Sequence, residues 1–159
     1  MNTYNYNRAA AASYAQKWAY GRNPAFYDFS DIGGDCTNYA SQCIYAGCGV
    51  MNTSPLFGWF YRSVNDRTPS WTGVEFLYKF LISNDGVGPF AKTVELGEIR
   101  VGDIVQLGNG ENFYHSPVVV GITRGKILVA AHSYDVYGKD LASYNAASYR
   151  PIHIIGYRK

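Results

Sequence analysis

The chain has 159 residues and a formal net charge of +2, and charged side chains make up only 16% of it. The 14 basic residues are scattered, which argues against a nucleic-acid-binding protein, and no apolar run approaches the ~20 residues of a membrane-spanning helix. We expect a single domain over residues 1–159, and a monomer. The first seven residues lack the apolar core of a signal peptide, so either the protein is not exported by that route or a leader has been removed.

The first predicted helix lies in the alanine-rich N-terminal segment. Ala11, Tyr14, Ala15 and Trp18 fall at helical spacing, and alanine is a strong helix former. We expect this helix to end at Gly21.

The second predicted helix begins where a glycine turn meets a cysteine. The Gly-Gly pair allows a tight backbone geometry, Asp35 can cap the first free amides, and Cys36 falls in the first turn. We expect the helix to run from Cys36 to Ala46, with Gly47 as its left-handed terminator.

The first turn of a helix is a place where a cysteine can become a nucleophile. The unpaired N–H groups and the helix dipole favour a thiolate there, and such settings lower a cysteine pKa from ~8.5 to about 3.5–7.5. We therefore predict that Cys36 is a nucleophile. Cys43 lies on the inward face of the same helix and is predicted to be a small buried residue.

The three cysteines, Cys36, Cys43 and Cys48, lie within one short window. An odd and clustered set does not favour a disulfide framework, and zinc would want closer paired ligands and a nearby histidine. We therefore expect no metal, and catalysis by a cysteine nucleophile requires no organic cofactor.

A third helix is predicted to open at a capping box that spans residues 72–75 and to end at Asn84. Its predicted buried stripe consists of Val74, Leu77, Tyr78 and Leu81. The rest of the chain is rich in β-branched residues, and we expect strands at 103–107, 117–123, 126–131 and 152–157. Helices first and strands afterwards indicate an α+β fold with an antiparallel sheet.

A cysteine nucleophile needs a base and a third group that orients the base, and the chain has three histidines. If Arg124 and Gly125 form a two-residue turn, His115 and His132 lie on the same face of the sheet, ~7–8 Å apart as diagonal neighbours. A three-residue loop would reverse this parity and favour Asp135. We choose His115 as the base and His132 as the third residue.

The remaining candidates have structural interpretations. His153 alternates with buried isoleucines of the last predicted strand, and we expect no role for it in catalysis. Trp59 and Trp71 are expected to be core or lid aromatics, with contact to substrate as the alternative. The 15 tyrosines favour an amphipathic core over a groove that stacks on sugars or peptides.

These motifs resemble the family named Putative amidase domain, a bacterial branch of the papain-like cysteine amidases and peptidases related to NlpC- and CHAP-type cell-wall hydrolases. The resemblance covers nearly the whole chain. Its most specific part is the run at residues 33–43, and it continues with His115-Ser116 and with residues 132–135.

The resemblance implies a papain-like fold in which a helix that begins at the nucleophile packs on an antiparallel sheet that carries the histidine. By that similarity Cys36 matches the nucleophile, His115 the general base and acid, and His132 the orienting residue. A side chain upstream of the cysteine donates to the oxyanion in related families, which makes Tyr27 a candidate for the second donor.

The implied activity is hydrolysis of an amide bond in bacterial peptidoglycan or a cell-wall peptide through a thioacyl intermediate. The resemblance also implies an extracellular or cell-envelope location. Three alternatives stay open: a non-catalytic module that binds cell wall or glycan, an acyltransferase or transglutaminase-like enzyme on the same fold, and a general protein peptidase.

Overall fold

The computed structural model describes residues 1–159. Its helices are α1 (Arg8–Trp18), α2 (Cys36–Cys48), α3 (Pro69–Thr72) and α4 (Val74–Ser83). Its strands are β1 (Thr3–Tyr4), β2 (Tyr61–Ser63), β3 (Asp66–Arg67), β4 (Gly88–Thr93), β5 (Ile104–Gly108), β6 (Phe113–His115), β7 (Val118–Thr123), β8 (Lys126–Ala131), β9 (Val136–Asp140) and β10 (Ser148–Arg158). Two short 3₁₀ turns lie at Leu96–Glu98 and Leu141–Tyr144.

Eight of the strands form one sheet, in the order β1-β10-β5-β7-β8-β9, with β4 also paired to β10 and β6 also paired to β5. Every pairing is antiparallel. The prediction of an α+β fold with an antiparallel sheet is therefore confirmed, although the short strand β1 precedes the helices. None of the helices is long and apolar enough to cross a lipid bilayer.

The helices cover one face of this sheet. Ala11 and Ala15 of α1 and Tyr39 and Cys43 of α2 belong to the same buried cluster as inward-facing residues of the sheet such as Ile104. A smaller cluster, which includes Val105 and Val119 of β5 and β7, fills the opposite face. The alternation of the two clusters along the strands follows from the period of two in side-chain direction.

The start of α2 agrees with the prediction, but its end does not. Gly47 lies inside the helix, where an added Cβ would come within 2.3 Å of the Tyr6 ring. The left-handed residue is Gly49, with φ of 68° and an N–H that donates to the Tyr45 carbonyl at 2.7 Å. Gly47 is therefore required for close packing and is not a terminator.

The predicted capping box of the third helix is also wrong. Residue 72 ends the short helix α3, and the N-cap of α4 is Gly73, which has no side chain to bond with. The Glu75 carboxylate instead pairs with Arg150 at 2.8 Å. Leu77 and Leu81 are buried as predicted.

Candidate active site

The nucleophile candidate is the first residue of α2. Gly33 and Gly34 precede it with φ of 80° and 98°, a left-handed conformation that residues with a Cβ rarely adopt. The first amides of a helix have no carbonyl partner inside it, so the Cys36 N–H remains free to bind an oxyanion.

Asp35 occupies the N-cap position, but its side chain does not cap the helix. Oδ1 accepts hydrogen bonds from the Phe29 N–H and from Asn38 Nδ2, both at 2.9 Å. Oδ2 lies 2.7 Å from Nδ1 of His132. The prediction that Asp35 caps the helix is therefore wrong. Its carboxylate fixes the loop before Cys36 and leaves the helix amides uncapped.

Cys36 and His115 line the same cleft, which has a volume of about 330 Å³. Other lining residues are the two glycines, Lys139 and three tyrosines, Tyr114, Tyr134 and Tyr144. Two residues that are 79 positions apart in the sequence thus meet at one opening, as the sequence predicts. No hydrogen bond joins them; Cys36 Sγ contacts Thr37 Oγ1 at 3.6 Å.

A buried hydrogen-bond chain connects the two sides of this cleft. Thr37 Oγ1, next to the cysteine, lies 3.2 Å from Oγ of Ser116, which follows the histidine. Gln106 Nε2 donates to the same Ser116 oxygen at 3.2 Å, and all three side chains are buried. Sequence reasoning missed these residues, although Thr37 and Ser116 flank the two candidate residues within the motifs.

Burial disfavours the charged form of both candidate groups. Burial raises the pKa of the Cys36 thiol above its ordinary value, although hydrogen bonds from the Thr37 hydroxyl and from the backbone at Ser116 act in the opposite direction. Burial, and to a lesser extent the charge of Lys139, lowers the pKa of His115 to about 4. Burial therefore acts against the resting thiolate that the position at the helix N-terminus predicts.

The ring of His115 is open to chemistry. Neither of its nitrogens has a hydrogen-bond partner in the chain. Both also keep some contact with solvent, because the one fully buried side-chain nitrogen or oxygen without a partner is Arg22 Nε. Tyr144 packs edge-on against the ring, with the two centroids 5.7 Å apart. His115 is thus held by packing, with its ring nitrogens free.

His132 lies outside the cleft, in a buried polar network. Its Nδ1 bonds to Asp35, and its Nε2 lies 2.8 Å from the Trp18 carbonyl and 3.2 Å from Arg22 Nη1. Its ring stacks on Tyr39 with centroids 4.0 Å apart. Because both nitrogens are engaged there, the structure does not bring the predicted third residue to the base.

A β-bulge explains this difference. The turn at Arg124 and Gly125 has two residues, as predicted, but the β7–β8 register shifts between Val119 and Gly121. Val119 consequently pairs with Val129, where an uninterrupted hairpin would pair it with Ala130. The extra residue in β7 moves the side chains that precede it to the opposite face of the sheet relative to their predicted partners.

The alternative third residue, Asp135, does not reach His115 either. Its two carboxylate oxygens accept hydrogen bonds from Nη1 and Nη2 of Arg22 at 2.9 and 3.0 Å. Arg22 Nε lies 3.2 Å from Asp28 and 3.5 Å from Asp35, without hydrogen-bond geometry to either. Arg22 was not singled out from the sequence, because nothing in its local pattern marks it.

The aromatic candidates lie away from the cleft. Trp59 and Trp71 are fully buried, and their indole N–H groups donate to Ser41 and Asn38. They are core residues, so the alternative of substrate contact is wrong. Tyr27 is exposed and lines a separate depression, so the structure does not place this candidate in the cleft of Cys36.

The other histidine and the other cysteines are occupied or buried. His153 Nδ1 lies 2.9 Å from the buried carboxylate of Asp103, remote from the cleft. Cys43 and Cys48 are buried, and burial raises the pKa of Cys48 to about 11 and that of Cys43 further.

Comparison with known proteins gives one family and one relative. Residues 5–155 match the model of a family described as Putative amidase domain. The uncharacterized protein YhbB of Bacillus subtilis (strain 168) is 34% identical over 155 residues, which are 93% of this chain and 48% of that protein. The chain therefore spans about half the length of this curated relative. No solved structure matches this chain significantly.

Proposed function

The chain belongs to the Putative amidase domain family, and we propose that it hydrolyses an amide bond with Cys36 as the nucleophile and His115 as the base. Membership of the family supports amide hydrolysis. The assignment of the two residues goes further and depends on the cleft.

One observation carries this assignment. A cysteine at the N-terminus of a helix and a histidine with two free ring nitrogens line one cleft, and the buried contact between Thr37 and Ser116 links their neighbours. Cys36 is half-buried, whereas Cys43 and Cys48 are buried. Nucleophile and base in one cleft are what acyl transfer to a cysteine requires.

In the proposed mechanism the attack on the carbonyl and the first proton transfer occur together. Because burial disfavours the charged form of both groups, His115 removes the Cys36 proton as the sulfur attacks. The Cys36 N–H binds the developing oxyanion, and such a donor contributes about 3–4 kcal/mol in comparable sites.

The second half of the reaction uses the same imidazole. An imidazolium with a low pKa is a strong acid, so protonated His115 readily gives its proton to the leaving amine. The resulting thioacyl enzyme is hydrolysed when neutral His115 activates a water molecule. The reaction consumes one water and leaves an acid and an amine.

The Asp35–His132 pair has a supporting role in this mechanism. Asp35 immediately precedes the nucleophile, and its carboxylate is held by His132, Asn38 and the Phe29 amide. The pair therefore orients the loop that presents Cys36 and does not orient His115. In this proposal the base works without a hydrogen-bonded third residue.

We further propose a papain-like arrangement and a cell-wall peptide as the substrate. The order of elements, with a nucleophile helix before an antiparallel sheet that carries the histidine, supports the former. The resemblance of the cysteine motif to cell-wall hydrolases supports the latter, together with an envelope location. Three tyrosines around the cleft would suit a peptide with attached sugar.

The test is incubation with purified peptidoglycan fragments, followed by mass spectrometry of the products. We expect fragment pairs whose summed mass exceeds that of the parent by one water, and Cys36→Ala should abolish them. The matched control is Cys43→Ala, which removes a sulfur from the same helix, where it is buried. Product release by Cys36→Ala would overturn the assignment.

Two further arms separate the alternatives. Added glycinamide that appears in the product would indicate acyl transfer in place of hydrolysis. Saturable binding to peptidoglycan by both wild type and Cys36→Ala, with no product from either, would indicate a binding module.

A further inference from the structure

Lys139 is the one cationic side chain that lines the cleft of Cys36 and His115. It lies in β9 and is half-buried. Its Nζ lies 4.2 Å from the centroid of the Tyr144 ring. No ion pair of the chain includes Lys139.

The cleft holds no counter-ion for this ammonium group. Its one carboxylate, Asp35, is buried and already accepts hydrogen bonds from Phe29 and Asn38 and contacts His132. None of the other polar side chains that line the cleft is a carboxylate. A half-buried cation beside an aromatic ring gains some cation–π stabilisation, and no anion of the chain pairs with it.

We propose that Lys139 binds a carboxylate of the substrate close to the scissile amide, so that the enzyme selects acidic peptides over neutral ones. This inference rests on the proposed function, because it names the substrate class of the same site. An ammonium–carboxylate contact is a charge-assisted hydrogen bond, about twice as strong as a neutral one. The three rotatable N–H donors of lysine accept a carboxylate from several directions.

Binding of a carboxylate would also act on the base. The positive charge of Lys139 helps to lower the pKa of His115. A bound anion neutralises that charge, so the pKa of His115 rises while an acidic substrate is present. The imidazole is then a stronger base at the moment when it must accept the Cys36 proton.

The first experiment needs no turnover. The alkylation rate of Cys36 is measured with two pairs of reagents that differ in a carboxylate: iodoacetate with iodoacetamide, and 3-maleimidopropionate with N-ethylmaleimide. The two pairs place the carboxylate at a short and at a longer distance from the sulfur. The charged-to-neutral rate ratio of at least one pair should fall about tenfold in Lys139→Met.

Two variants make this result specific. Lys139→Arg keeps the charge and should retain most of the wild-type ratio. Lys126→Met removes a lysine from the neighbouring strand β8, where it contacts Asp140 outside the cleft, and should leave the ratio unchanged. Equal ratios in wild type and Lys139→Met for both pairs would overturn the proposal, as would loss of the preference in Lys139→Arg with the fold intact.

The second experiment uses matched peptide substrates with a carboxylate or a carboxamide beside the scissile bond. We expect Lys139→Met to raise KM for the acidic peptide about tenfold and to leave the neutral peptide nearly unaffected. An alkylation preference without any hydrolysis would remove the proposed function and leave the carboxylate site. Hydrolysis with no preference for the acidic peptide would remove the carboxylate site and leave the proposed function.

Discussion

His115 and His132 occupy similar depths in the fold but opposite chemical environments. Both are buried, at 9% and 2% relative exposure, and each stands at the end of a strand. His115 has no hydrogen-bond partner, whereas both nitrogens of His132 are engaged by Asp35, Trp18 and Arg22. Burial alone therefore does not distinguish the proposed base from a structural histidine, whereas the hydrogen bonding of the ring nitrogens does.

The same contrast has an energetic side. His115 is buried without partners, which disfavours its charged form and lowers its pKa to about 4. His132 compensates the burial of the Asp35 carboxylate, a group that would cost several kcal/mol if it were left unpaired. We therefore expect His115 to support activity without contributing to stability, and His132 to contribute mainly to stability.

The largest expected effect comes from His115→Phe, which keeps the size and planarity of the ring and removes both nitrogens. Hydrolysis of peptidoglycan fragments should fall by roughly 10²–10⁴-fold, the usual contribution of a general acid–base group. The free energy of unfolding, measured in urea, should stay the same or rise, because no hydrogen bond is lost. Wild-type turnover in this variant would show that His115 is not the base.

The matching substitution His132→Phe should act mainly on stability. It leaves Asp35 Oδ2 buried beside Arg22 Nε at 3.5 Å, without its closest partner. We expect the free energy of unfolding to drop by about 3 kcal/mol, as for other broken buried pairs. A variant that is as stable as wild type but inactive would contradict this expectation and show that His132 acts in catalysis, through Cys36 or through the base.

The sequence predicted those features that depend on local pattern. The start of α2 at Cys36 follows from the glycine turn, and the bounds of β8 follow from a β-branched run closed by turn residues at both ends. The meeting of Cys36 and His115 in one cleft was also predicted, because few residues could serve as nucleophile and base.

The features that the sequence did not predict depend on distant partners or on one residue of register. Asp35 looks like a helix cap from its neighbours, but its partner His132 lies 97 positions away. The bulge in β7 adds a single residue within Val-Val-Val-Gly, a run with no turn signal before Gly121. Lys139 gave no local signal, since its significance depends on the cleft that it lines.

The smallest expected effect concerns the shape of the pH profile, and it tests whether the resting pair is neutral. Because His115 must be uncharged to accept a proton and its pKa is about 4, kcat/KM should fall only as the pH drops toward 4.

The alkylation of Cys36 gives a second pH profile. Because burial raises the pKa of Cys36, the rate of its alkylation by iodoacetamide should keep rising through alkaline pH with no plateau near neutrality. Cys36→Ala supplies the background from the two buried thiols. An alkylation rate that is already maximal near neutral pH, and that loses this maximum in His115→Phe, would instead indicate a thiolate–imidazolium pair and remove the contrast between a free, neutral His115 and an engaged His132.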